Sequence, residues 1–304
     1  VHQHVLDGTY CIDKSEDFNN RLMNQDQHGA MYENRDADFN FPDSSADRLM
    51  DWLFPDNDTV RMPIIAVTGT NGKTTTSRMI SHIMALSGHK PGLVCTDGIY
   101  LDGKLLESGD KSTRAGHLKV LTSKAVDVAV LETHHSGILT HGFAFRWCDI
   151  AVCLNVTEDH LGQINIDTVE QMAIVKQALL ERARHAAVLN ADDRFCLAML
   201  EAVTAEKICL VSMLSSHEEL SAHVGKRLVC YCVLELLDGE EWLLIHDCGL
   251  RLPVMASSSI PATFDGTARF NVSNAMHAIA ASYLFGTDVE MIKSAMCVFK
   301  SGYE

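Results

Sequence analysis

The stretch Ile64-Ile65-Ala66-Val67-Thr68-Gly69-Thr70-Asn71-Gly72-Lys73-Thr74-Thr75 decides the fold class. Four apolar residues run into Thr68-Gly69, as in a buried parallel strand that feeds a turn. An amphipathic segment over about 73–87 follows and sets Met79, Ile80, Ile83, Met84 and Leu86 on one helical face. Strand, glycine-rich turn and helix in that order make a phosphate cradle. Glycine lets successive N–H groups converge on an anion, and the helix N-terminus adds its positive dipole end. Thr68, Gly69, Thr70, Asn71, Gly72, Lys73, Thr74 and Thr75 are therefore the candidate nucleotide-binding set. Lys73 supplies a point charge for the β- and γ-phosphates, and the Thr74 hydroxyl is the expected ligand of the Mg2+ that travels with ATP. The general P-loop spacing places a glycine at position 67, where this chain has Val67.

Outward from the cradle, buried-strand patterns cover about 92–95, 126–132, 149–155, 186–190 and 208–212, with helical patterns over 168–184 and 191–203. The alternation implies an α/β fold, a P-loop parallel sheet with helices on both faces. Residues 226–254 read differently. Leu228, Cys230, Cys232, Leu234 and Leu236 alternate, and Asp238-Gly239 and Cys248-Gly249 supply turns, so a small antiparallel ribbon is predicted. Its apolar edge over 228–236 is either open to pairing or covered. Two helices, 274–285 and 289–299, close the chain around Gly286. Residues 1–45, rich in Asp, Asn, Gln and His without a period, read as an irregular or partly ordered lead, and 46–304 as one domain. A short helix with Leu49, Trp52 and Leu53 is expected before Pro55-Asp56-Asn57-Asp58 breaks it. A chain that opens on Val1 and stops at Lys300-Ser-Gly-Tyr-Glu304, just past a helix, reads as a piece of a longer protein.

Composition narrows the function. Forty acidic residues against 25 basic ones give a formal charge of −15, poorly suited to coating nucleic acid or anionic lipid. No run of 18 apolar residues and no charged-then-apolar leader occur, so neither a membrane span nor export is predicted, and a cytoplasmic location is. The ten cysteines lack any C-x-x-C pair and mostly sit in apolar runs, which fits buried free thiols in a reducing compartment.

Two carboxylate and metal candidates follow the strands. Asp127-Val-Ala-Val-Leu-Glu132 ends in an acid where P-loop proteins face the metal, so Glu132 is the first acidic candidate. His160, in Thr157-Glu158-Asp159-His160-Leu161-Gly162, stands past a strand's C-terminal end, where such sheets hold ligands. By itself it reads as a surface or satisfied loop histidine, and Lys176 by itself as a lysine on a solvated helix face. His134 and His135 form a noticeable pair after Glu132, but adjacent histidines cannot readily share one small ion.

Taken together, residues 69–75, Glu132, Asn155 through Asp159-His160, and Lys176 resemble the central domain of the Mur ligases, which join a carboxylate to an amine with ATP. Within that family the chain is similar to the Mur-ligase domain of cyanophycin synthetases. The similar stretches include residues 46–55, 96–103, 137–139, 148–152, 159–162, 189–193, 260–263 and 268–274. The resemblance implies ATP on Lys73 and the loop amides, a first Mg2+ on Thr74 and Glu132, and a second ion helped by His160. It implies that Lys176 matches a lysine carbamylated in many Mur ligases, which makes it a carboxylate-like metal ligand. It places Asn271 near the adenine and Asn155 on the nucleotide-side loop, and it makes Lys73, Glu132, His160 and Lys176 the catalytic set. It further implies an acyl-phosphate intermediate, an amino acid as amine, and a carboxylate-bearing acceptor. In the cyanophycin synthetases these are arginine and an aspartate side chain of a growing polymer. Two segments depart from the family: Glu132-Thr-His-His-Ser-Gly137 stands where Glu-x-Ala-Arg-Gly-Gly is usual, and Lys111-Ser-Thr-Arg-Ala-Gly116 replaces a Thr-Gly-Pro pattern. The family's C-terminal domain is expected to be supplied from outside this chain, by a partner or a missing domain. The competing readings are a non-catalytic Mg·ATP-binding remnant and a P-loop switch or phosphotransferase. A guanine-specific switch needs an Asn-Lys-x-Asp run, and none occurs.

Overall fold

The computed structural model describes residues 62–159, 161–162, 164, 166–221 and 228–300. The lead over 1–45, the short helix expected before Pro55, and His160 lie outside the described residues. Seven strands form the parallel body of one sheet: β1 (Ile64–Thr68), β2 (Pro91–Cys95), β5 (Val128–Glu132), β6 (Cys148–Cys153), β7 (Ala183–Asn190), β8 (Lys207–Ser212) and β9 (Val229–Leu237). Two antiparallel hairpin extensions flank it, β3 (Gly98–Leu101) with β4 (Lys104–Ser108), and β10 (Glu240–Asp247) with β11 (Leu250–Ala256). The order across the sheet is β11-β10-β9-β8-β7-β6-β1-β5-β2-β3-β4, which puts the cradle strand β1 near the middle. The expected α/β class, a parallel sheet with helices on both faces, is what the structure has.

Alternation within each strand builds two cores. Ile65, Val67, Val128 and Val130 face one side, where helices α1 (Lys73–Leu86), α7 (Arg269–Phe285) and α8 (Val289–Val298) supply Met79, Ile83, Ile279 and Met296. Ile64, Ala66, Ala129 and Leu131 face the other, under α2 (Arg114–Leu121), α3 (His135–His141), α4 (Val169–Leu180), α5 (Arg194–Ala198) and α6 (His217–Ser221). A side-chain period of two in a strand covered on both faces is why these runs read as continuous apolar segments.

Several boundaries move for physical reasons. The helix expected over 168–184 ends at Leu180, because Ala183 already pairs with Cys148 as the start of β7. Its other end is fixed by a capping box, Thr168 with Gln171. The segment 191–203 is not one helix: Asp193 accepts from the N–H groups of Phe195 and Cys196 to start α5, and a 3-10 turn over Met199–Ala202 follows. The helix expected from 274 begins a turn earlier at Arg269, and it ends at Gly286 in the left-handed conformation.

The antiparallel ribbon is present as β9, β10 and β11. β9 also pairs in parallel with β8, so the ribbon continues the main sheet and its 228–236 edge is covered within the chain. Cys230 and Cys232 are fully buried on one face of β9, which becomes exposed toward Leu236. Asp238-Gly239 and Cys248-Gly249 are turns as read, all four residues at positive φ. A third turn of the same kind, Asp102-Gly103, joins β3 to β4 and has the same X-Gly signal. Seven of the nine described cysteines are buried, whereas Cys248 and Cys297 are exposed. No helix among the described residues is long and apolar enough to cross a membrane.

Candidate active site

The C-terminal ends of β1, β5, β6 and β2 converge on the first turn of α1. Gly72 precedes that helix at φ 86°, and a Cβ there would stand 2.1 Å from Asn274 Oδ1. Both the left-handed backbone and the contact require glycine. A Cβ at Gly69 would come within 2.9 Å of the Leu154 Cβ. The helix then opens with the N–H groups of Lys73, Thr74 and Thr75, which have no acceptor inside the helix and point toward whatever lies ahead of it.

Not every amide of the loop is free for a phosphate. The Thr70 N–H donates to both the carbonyl and Oδ1 of Asn155, each at 3.0 Å, and the Asn71 N–H donates to the same Oδ1 at 2.8 Å. Asn155 Nδ2 returns a hydrogen bond to the Asn71 carbonyl at 3.1 Å. Asn155 thus clamps the front half of the loop through the Thr70 and Asn71 amides. Thr68 likewise works inward, its hydroxyl donating to the Thr133 carbonyl at 3.0 Å. The Thr70 hydroxyl accepts from the Thr157 N–H at 3.0 Å and ties the loop to the β6 exit. Asn155→Ala removes three of these bonds at once. The expected result is a roughly five- to twenty-fold weaker binding of a non-hydrolysable ATP analogue in calorimetry, with little change in melting temperature, since the loop rather than the core is loosened. Unchanged binding would show that the clamp is dispensable.

Charge is concentrated behind the loop. Lys73 is buried and its ammonium donates to the Thr70 carbonyl at 2.8 Å. Burial pulls its pKa down, while Glu132, Asp159 and Asp110 push it back up. Glu132, 1% exposed at the end of β5, accepts from the Thr74 hydroxyl at 2.8 Å. Thr96, just past β2, donates to both of its oxygens, N–H to Oε2 at 3.1 Å and hydroxyl to Oε1 at 3.0 Å. The hydroxyl of Thr74 and the carboxylate of Glu132 are hard oxygen donors already in contact, a donor set that fits Mg2+. Behind Glu132, His117 Nε2 meets the Glu132 carbonyl at 2.8 Å, and full burial lowers its pKa to about 4.

Lys176 departs from the reading as a surface lysine. Nearly every residue of α4 from Gln171 to Leu180 is buried, and Lys176 is 2% exposed. Its pKa falls to about 8, first through burial; Cys153 and Cys196 act upward and the charge of Lys73 downward. The helix carries this lysine inside because its strip faces the β6 exit, where the Cys153 and Cys196 sulfurs lie 3.5 Å apart. Asn271, 6% exposed at the start of α7, donates to the Ala262 carbonyl at 2.6 Å and accepts from Asn274 Nδ2 at 3.3 Å. The structure therefore gathers Lys73, Thr74, Glu132 and Asn155 around one loop, sets Lys176 within electrostatic reach of Lys73, and links Asn271 to Gly72 through Asn274.

Thr96 and Asn274 were missed by the sequence reading. Thr96 had a signal, as the first polar residue after a parallel strand neighbouring β5. Asn274 lies one helical turn from Asn271, on the same face. His134 was noted but its use was not: it precedes α3, and Nδ1 meets the Ser136 hydroxyl at 2.7 Å and accepts from the Ser136 N–H at 3.3 Å.

Residues 67–282 match the Mur ligase middle domain. The chain is 40% identical over 263 residues to the cyanophycin synthetase of Geminocystis herdmanii, covering 86% of this chain and 29% of that protein. To the cyanophycin synthetase of Synechocystis sp. it is 39% identical over 265 residues, covering 86% and 30%. The chain thus spans less than a third of the length of these two relatives. A solved UDP-N-acetylmuramoyl-L-alanyl-D-glutamate–2,6-diaminopimelate ligase shares the fold at TM-score 0.59 and 22% identity, over 84% of this chain and 50% of that one. By sequence profile, by relatives and by fold, this chain belongs to the Mur ligase family and contains its middle domain.

Proposed function

We propose that this chain is the ATP-binding part of a carboxylate–amine ligase that works through an acyl phosphate, with arginine as the amine and an aspartate side chain of a polymer as the carboxylate. The observation that carries the reading is the contact between Thr74 and Glu132 directly beside the buried Lys73. It joins the first turn of α1 to a fixed carboxylate. The substrate class rests on the resemblance to cyanophycin synthetases.

In this reading the first-turn amides of α1 and the Lys73 ammonium hold the β- and γ-phosphates of ATP, and Asn271 borders the base. A Mg2+ ion held by Thr74 and Glu132 would offset phosphoryl charge during transfer. The acceptor carboxylate attacks the γ-phosphorus, ADP leaves, and Lys73 stabilises the charge on the transferring oxygens. The amine nitrogen then attacks the acyl carbon, phosphate leaves, and the nitrogen gives up a proton. Lys176 is buried and partly neutral near pH 8, so its free amine can take up CO2 as a carbamate and add a second anionic group. His160 belongs to the proposed metal set by its place after β6. We further propose that 46–304 form one domain, that a further domain completes the amino-acid site, and that the protein works in the cytoplasm.

The test is ADP release by the chain with the C-terminal domain restored, given Mg·ATP, arginine and an aspartate-rich acceptor, alongside calorimetry of the chain with a non-hydrolysable ATP analogue. The expected result is saturable nucleotide binding and ADP release that needs both co-substrates, with a mass gain of one arginine residue in the acceptor. Binding without co-substrate-dependent turnover would favour a nucleotide-binding module instead. The pair His134-His135, where the family has Ala-Arg, is the observation behind that second reading.

A further inference from the structure

A second cluster of metal-binding side chains lies away from the cradle, on the face of the sheet that α6 covers. His217 opens α6, Glu235 lies near the end of β9 and His246 near the end of β10. β9 is four strands from β1 in the sheet, about 19 Å at the usual strand spacing. We propose that His217, Glu235 and His246 form a binding site for one divalent transition ion of the zinc class.

Three observations carry this. First, one ligand atom from each residue lies within 4.8 Å of the other two, although the residues come from three separate elements. A tetrahedral ion with bonds near 2.0–2.1 Å needs its ligand atoms about 3.3 Å apart, so closure takes a movement of about 1.5 Å or less. His217 and Glu235 are only partly buried and can move that far, while His246 is the fixed member at 8% exposure. Second, the carboxylate is already oriented. Arg251 holds Glu235 Oε2 through Nη2 at 2.6 Å and Nε at 3.1 Å, leaving Oε1 to meet His246 Nε2 at 2.5 Å. The imidazoles of His217 and His246 stack at 3.8 Å and 15°, so the half-buried His217 ring must turn out of the stack for both lone pairs to meet one ion. Third, Glu218 Oε2 stands 3.1 Å from His217 Nδ1, the carboxylate–histidine pairing that orients metal-bound imidazoles.

Two imidazoles and one carboxylate are borderline ligands, suited to Zn2+, Co2+, Ni2+ or Cu2+ rather than to the Mg2+ expected at Thr74 and Glu132. Three protein ligands leave at least one position open to water or an outside ligand. The ion pins α6, which follows β8, onto the outer hairpin of the sheet. Nothing in the ligase reading depends on it, and the two can fail separately.

The test is a Co2+ titration of the intact chain followed optically, with Zn2+ in competition. The expected result is one ion per chain, visible d–d absorption without a thiolate charge-transfer band, and displacement by Zn2+. His217→Gln and His246→Gln should each weaken binding by about 100-fold or more, and Cys248→Ser should leave it unchanged. His217→Gln alters a partly exposed helix end, so it reports even if His246→Gln fails to fold. Absence of a saturable single site would overturn the proposal. So would binding that survives His217→Gln, or a thiolate band lost in Cys248→Ser, which would assign the ion to the exposed cysteine.

Discussion

Lys73→Met is expected to lower acceptor-dependent ADP release by about a thousand-fold while leaving the fold intact or slightly more stable. The ammonium lies in the cradle beside Glu132 and donates to the Thr70 carbonyl at 2.8 Å, so it is already placed where phosphate charge would gather. Losing one well-placed donor to a developing oxyanion typically lowers rates by about 10^2 to 10^3, or roughly 3–4 kcal/mol. Stability should move the other way. Burial lowers the Lys73 pKa against the pull of three carboxylates, so the fold holds this charge at a desolvation cost. Methionine keeps the apolar stem and removes the charge. The paired readout is turnover and urea denaturation on one preparation. Intact turnover would remove Lys73 from the mechanism; lost turnover together with lost stability would mean the substitution broke the loop.

The second large effect is on stability against pH. His117 and His277 are fully buried, on opposite faces of the sheet, and burial lowers the pKa of each from 6.5 to about 4. Each donates one ring N–H to a carbonyl, His117 Nε2 to Glu132 and His277 Nδ1 to Ser273, and the His277 Nε2 meets no protein partner. The unfolded chain takes up protons near pH 6.5, whereas the folded chain resists until about pH 4. The stability contributed by the neutral rings is therefore complete above pH 6.5 and declines as pH falls toward 4. A shift of that size corresponds to about 3 kcal/mol for each ring, comparable to a large part of a typical domain's stability. The urea midpoint should fall steeply between pH 6.5 and 4.5, and His277→Gln should remove about half of the slope. A flat midpoint across that window would contradict both assignments.

These two predictions draw on different sources. The importance of Lys73 was legible in the sequence, because a strand, a glycine-rich turn and an amphipathic helix constrain where a lysine in that turn must lie. The neutrality of His117 and His277 was not. Nothing in Gly116-His117-Leu118 or Met276-His277-Ala278 separates a buried ring from an exposed one. The same contrast divides Glu132 from Thr96. Glu132 ends an apolar run and advertises itself, while the hydroxyl that orients it comes from a strand 36 residues away.

Local pattern also left partnership open. The alternation of Leu228 to Leu236 identified a strand with two unlike faces, but alternation does not encode the neighbour. That β9 lies parallel to β8 follows from the path of the chain through α6 back to the same sheet. Lys176 shows the limit most clearly. On a helical wheel it is one cation on a mostly apolar helix, as readily solvated as buried, and only the seating of α4 against the β6 exit puts it inside.

The sequence by itself determined the α/β class, the phosphate cradle and the acid at the end of β5, because each rests on contacts within about thirty residues of chain or on a strict period. Tertiary structure alone decided that Asn155 clamps the loop, that Asn274 closes against Gly72, and that Lys176 and two histidines are desolvated. Those properties depend on which distant segments come into contact, and desolvation is a property of the assembled surroundings rather than of any residue in its own stretch of chain.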